Sequence, residues 1–94
     1  MEYPVSPMNE IDEEKRLVRP DGLSVRRMRH DHSWSPRDLV KAIQRAHYIA
    51  TGLNETITPN LLQSIEEKND RIPYATLRLI ADGLECDPVD ILSE

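Results

Sequence analysis

The chain of 94 residues carries a formal net charge of −5, a 4% aromatic share without phenylalanine, and a single cysteine, Cys86. That length suits one small domain whose core must be built from leucine, isoleucine and valine. One cysteine excludes an internal disulfide and a cysteine-based zinc cage, and no apolar run approaches the roughly 20 residues that span a bilayer. A cytoplasmic protein with no signal peptide and no membrane association is expected.

In chain order, residues 1–20 hold two early prolines, the acidic cluster Glu10-Ile-Asp-Glu-Glu14 and few apolar side chains. They bury too little to order themselves, so a mobile acidic tail over 1–20 is expected to precede an all-α domain over 21–94. A partner-binding arm is the minority reading of that tail. Asp21-Gly22 reads as a turn, after which Leu23, Val25 and Met28 share one side of a first helix over 23–32, with its arginines outside that side.

Ser35-Pro-Arg-Asp38 starts the second helix, with Ser35 as N-cap, Pro36 at the first position and Asp38 in the capping-box role. Leu39, Ala42, Ile43, Ala46 and Ala50 keep helical spacing as far as Thr51-Gly52, where glycine can stop the helix. The spacing therefore predicts an unusually long second helix, with Tyr48 and Ile49 off its apolar stripe and free to face a partner. The unpaired N–H groups and positive dipole end at the start of this helix favour an anion, and Arg37 stands there to reach a phosphate oxygen.

Residues 53–57 read as a linker. Thr58 then caps a third helix over 58–68, Pro59 takes its first position, and Leu61, Leu62 and Ile65 form a narrow apolar stripe. The opposite face offers Asn60, Gln63 and Ser64, uncharged groups able to reach base edges in a major groove; the bland reading is a solvated surface. Glu66 and Glu67 at the end of this helix would repel phosphate. Asn69-Asp70 marks a turn, Pro73 opens a fourth helix with Leu77, Ile80, Ala81 and Leu84 on one face, and Asp87-Pro-Val-Asp90 repeats the cap-then-proline pattern of a last short helix through Leu92. Five helices and no strand are expected.

Charge is distributed unevenly along these elements. Between residues 23 and 54 six bases (Arg26, Arg27, Arg29, Arg37, Lys41, Arg45) face two acids, Asp31 and Asp38; from Glu55 onward nine acids face three bases. A net acidic chain argues against loose, charge-driven nucleic-acid binding, while its basic middle segment keeps a localised contact open. His30-Asp-His32 does not read as a metal site, because residues two apart on a helix point to different sides; the imidazoles suit the negative end of the helix dipole. Cys86 beside an acidic run reads as a small core residue rather than a nucleophile. No Ser-His-Asp order, glycine-rich phosphate loop or carboxylate pair points to an enzyme, and no cofactor is expected.

Val25-Arg-Arg-Met-Arg29, Trp34-Ser-Pro-Arg-Asp-Leu39, Ile57-Thr58, Ile65-Glu66, Leu77-Arg-Leu-Ile-Ala81 with Leu84, and Asp87-Pro-Val-Asp-Ile-Leu92 follow one another in a familiar order. Over residues 25–92 the chain resembles the Cro/CI-type helix-turn-helix proteins, the XRE family of compact five-helix, lambda-repressor-like DNA-binding domains. The resemblance implies that Thr58, Pro59, Asn60, Gln63 and Ser64 lie along the DNA-facing side of a recognition helix. Asn60, Gln63 and Ser64 would read bases, Arg37, Thr58, Asn69 and Arg71 would contact phosphate, and Arg29 would pair with Glu66 between the first and recognition helices. It also implies a transcriptional regulator on double-stranded DNA, working as a homodimer because one helix reads one half-site. The alternative on the same fold is a protein-interaction module, an antitoxin-like partner-neutralising protein that uses the acidic C-terminal surface. Two features depart from the family pattern. The stretch from Leu39 to Ile57 is longer, and Lys68 and Glu85 stand where the family tends to place glycine, so those turns must be built differently.

Overall fold

A short oxygen-bearing side chain followed by proline starts a helix wherever it occurs in the middle of this chain. The computed structural model describes residues 14–93 and contains, in order, β1 (Leu17–Val18), α1 (Gly22–Asp31), α2 (Pro36–Thr51), α3 (Pro59–Lys68), β2 (Ile72–Pro73), α4 (Tyr74–Leu84) and a 3-10 turn (Pro88–Ile91). The Ser35 hydroxyl accepts from the Asp38 N–H at 3.2 Å while the Ser35 N–H donates to Asp38 Oδ2 at 2.9 Å, closing the capping box of α2. Those bonds, the backbone one first, hold the Asp38 carboxyl below its ordinary pKa. Thr58 accepts from the Leu61 N–H at 3.1 Å and Asp21 from the Ser24 N–H at 3.2 Å. Asp21-Gly22 is thus a helix start rather than a free turn.

The helices enclose one aliphatic core. Leu39 and Ile43 of α2, Leu62 and Ile65 of α3, and Leu77 and Ile80 of α4 are wholly buried. α1 packs on α3, and α2 packs on both α3 and α4. α2 runs 16 residues to Gly52, whose left-handed φ of 80° ends it. Its stripe outlasts the core: Ala42 and Ala46 are half-buried, and Ala50 is exposed. The segment that follows is tethered rather than free. Thr56 Oγ1 donates to the Val40 carbonyl at 2.7 Å, Ile57 is buried, and His47 Nε2 lies 3.3 Å from Glu55 Oε1 without hydrogen-bond geometry.

The all-α expectation holds in its main part, since the described chain is mostly helical, but the count of five helices does not. The segment after Asp87 makes only a four-residue 3-10 turn, because the chain beyond it is drawn out alongside the N-terminal segment. Leu92 bridges Pro20, the Ser93 N–H donates to the Arg19 carbonyl at 2.8 Å, and the Asp21 N–H donates to that of Ile91 at 2.8 Å. Nor is the described chain free of strands. Leu17 pairs with Pro73 and Val18 with Ile72 in an antiparallel ribbon, and the Arg16 carbonyl accepts from the Tyr74 N–H at 2.9 Å. The expected tail over 1–20 lies outside the described residues as far as residue 13. Its last part belongs to the domain: Val18 and Pro20 are buried, and Glu14 pairs with Arg78 of α4.

Candidate functional site

Two helices that meet with no side chain between them leave their polar faces side by side. α1 and α3 meet in this way at Gly22, where a Cβ would stand 2.2 Å from the Ile65 carbonyl oxygen and 2.8 Å from that of Glu66. The Gly22 N–H donates to Asn69 Oδ1 at 2.8 Å, and Asn69 takes a left-handed φ of 55° to end α3. Asparagine tolerates that conformation better than most residues, so it supplies what glycine would beside Lys68. Glu85 fills the same role after α4 with φ 60°.

Two turns further along α1, Arg29 joins Glu66 across the same two helices. Arg29 Nε and Nη2 donate to the two carboxylate oxygens of Glu66, each at 2.8 Å, and Nη1 donates to the Trp34 carbonyl at 2.9 Å. Both side chains are shielded, at 8% and 6% exposure. The hydrogen bond to Glu66 raises the Arg29 pKa against the opposing effect of burial. Glu66 is therefore neutralised within the fold and does not face outward as a repelling charge.

Above this pair lies an open cleft of about 510 Å³ between α1, the start of α2, and α3. Arg26 of α1, Arg37 in the first turn of α2, and Asn60 and Gln63 of α3 all line it, and all four are exposed. The cleft thus gathers two guanidinium groups, the positive end of a 16-residue helix dipole already capped by Ser35 and Asp38, and two amides on one side of the molecule, with the exposed acid Glu67 beside them. Such a set can hold an anion at the α2 end while offering donors and acceptors along α3. Asn60, Gln63, Ser64, Glu67 and Lys68 continue the exposed face of α3. Ser64 is half-buried on this face, and Gln63 Nε2 donates to Glu67 Oε2 at 3.3 Å.

The expected site residues divide accordingly. Arg37, Asn60 and Gln63 line the cleft, and Thr58 caps the helix that forms its wall. Asn69 spends its amide oxygen on Gly22, so the contact expected of it is replaced at that atom by a structural one. Arg71 lies in the exposed stretch between α3 and β2. Arg26 and Glu67 were missed as site residues. The sequence marks Arg26 as one of the six bases of residues 23–54 and as outside the first helix's apolar side, without saying which neighbour it faces.

Elsewhere, His30 and His32 are exposed, with the His32 ring stacked on Trp34 at 4.1 Å. Among the described residues no three His, Cys, Asp or Glu side chains converge as a metal site would require. Cys86 is half-buried, and burial first, then Asp90, Asp87 and Asp82, pushes its thiol pKa up. It stays protonated near neutrality and is a poor nucleophile. No helix among the described residues is long and apolar enough to cross a membrane. Compared with family models, curated proteins and solved structures, the chain finds no match.

Proposed function

We propose that the protein binds double-stranded DNA as a helix-turn-helix transcriptional regulator of the Cro/CI type, with α3 in the major groove and the start of α2 on the backbone. The observation that carries this reading is the cleft itself, where Arg26, Arg37 and the α2 N-terminus stand beside Asn60 and Gln63. Phosphate-directed groups fix position and register, whereas amides can pair bidentately with adenine edges, and the reading assigns the two roles to adjoining elements. The pairing of Glu66 with Arg29 supports it further, because one of the two acids that line the cleft is already compensated, leaving only Glu67 exposed there.

Selection of bound sequences from a random duplex pool at low salt tests the proposal. A recovered consensus with two-fold symmetry is expected. No retention of any duplex at low salt would overturn the reading in favour of the interaction module on the same fold.

A further inference from the structure

The second half of α2 carries surface that the core does not use. Beyond the core, α2 and the C-terminal end of α4 form the walls of a second groove of about 440 Å³. Ala42 and Ala46 of α2 and Gly83 of α4 give it a shallow apolar floor, and Ile49 rises beside them with 76% of its surface exposed. Arg45 stands on the α2 wall, and Asp82 and Glu85 stand on the α4 wall. None of these three charges makes an ion pair with a described residue. Tyr48, also exposed, does not line the groove.

We propose that this groove is a homodimer interface, occupied by the same groove of a second copy. The argument is one of self-complementarity. A two-fold contact requires a single patch to carry both members of every interacting pair. This patch has the projecting apolar side chain and the apolar hollow that receives it, and it has both the basic and the acidic wall. A two-fold axis running along the groove, in the plane of the contact, exchanges the walls, so that α2 of one copy lies over the end of α4 of the other. Ile49 then enters the partner's hollow, and Arg45 meets the partner's acidic wall twice over by symmetry. A DNA backbone, uniformly anionic, would satisfy only the basic wall. The groove shares no lining residue with the cleft at Arg37 and Gln63, so the dimer leaves that cleft open and the proposal stands whether or not DNA binds there.

Sedimentation velocity on the full chain, from about 1 to about 300 µM, reads the association directly. A concentration-dependent monomer–dimer equilibrium is expected. Ile49→Asp, at a position 76% exposed in the single chain, should keep the wild-type helical circular dichroism and raise the dissociation constant by about 30-fold or more. Arg45→Glu and the double variant Asp82→Arg/Glu85→Arg should each associate weakly alone, because each homodimer sets like charges together. Mixed in equal amounts they should form a heterodimer, since both of its contacts again oppose unlike charges. A wild-type chain that stays monomeric over the whole range, an Ile49→Asp dimer as tight as wild type, or a charge-reversed mixture that does not associate would each overturn the proposal.

Discussion

Arg29 and Glu66 form a more shielded ion pair than Glu14 and Arg78, with both side chains under a tenth exposed. Helical spacing puts Arg29 outside the apolar side of the first helix and so predicts a solvated arginine; only the resemblance to helix-turn-helix proteins assigns it Glu66 as a partner. In the fold it is 7% exposed and donates three hydrogen bonds. Removing one member of so shielded a pair strands the other charge, so Arg29→Ala is expected to lower unfolding free energy by about 3 to 5 kcal/mol, against under about 1 for an exposed pair. Replacing both, as Arg29→Met with Glu66→Leu, should recover most of that loss, because no uncompensated charge remains. Urea denaturation of the two variants checks both figures, and an Arg29→Ala midpoint equal to wild type would show the pair to be idle. Gly22 was similarly unreadable: its sequence neighbour Asp21 suggests a turn, while the reason for glycine is the backbone of Ile65 and Glu66, which lies more than forty positions away.

Among the elements, α2 and α3 could be read almost to the residue, because their caps, their prolines and their apolar spacing all lie within the helix itself. The ribbon of β1 and β2 could not. Two residues per strand are too few to show alternation, and its pairing joins Val18 to Ile72 across most of the chain. The expected fifth helix failed for the same reason, since what unwinds the chain after Ile91 is its contact with Arg19 and Pro20. The crossing of α2 and α4 is another tertiary feature. Gly83 reads locally as a weak point in a helix, yet a Cβ there would lie 2.5 Å from Ile43 Cγ1 and 2.9 Å from Ile43 Cα. A side chain tip can move aside, but the α2 backbone can yield only if the two helices separate. Gly83→Ala, a change that favours an isolated helix, is therefore expected to destabilise the protein by about 1 to 3 kcal/mol, the usual cost of overpacking a filled interior. A stabilised variant in thermal or urea melts would mean that the helices are not in close contact.

At the scale of the whole molecule, the proposed function requires a chain of net charge −5 to hold a polyanion. The basic segment faces the cleft through Arg26 and Arg37, while nine of the 17 acids fall from Glu55 onward, so the attraction is local and the long-range field opposes it. Nonspecific binding should then be weak and disappear early as salt is added, leaving specificity to the α3 face and to dimerisation. Contacts that position and contacts that specify can be separated on that basis. Arg37→Ala removes one neutralised phosphate, so it should weaken selected and random duplexes alike and flatten the slope of log affinity against log salt by about one unit. Gln63→Ala should instead cost about 1 to 3 kcal/mol on the selected site and leave both random binding and the salt slope nearly unchanged. Its hydrogen bond to Glu67 adds a consequence of its own: that bond must be exchanged for one to a base, so Glu67→Ala should alter which base is preferred at the position Gln63 meets. Titrations of the three variants at several salt concentrations distinguish these patterns. If Asn60→Ala, Gln63→Ala and Arg37→Ala all bind the selected duplex as wild type does, α3 is not the reading helix, and the exposed acidic surface after Glu55 becomes the place to look for a protein partner.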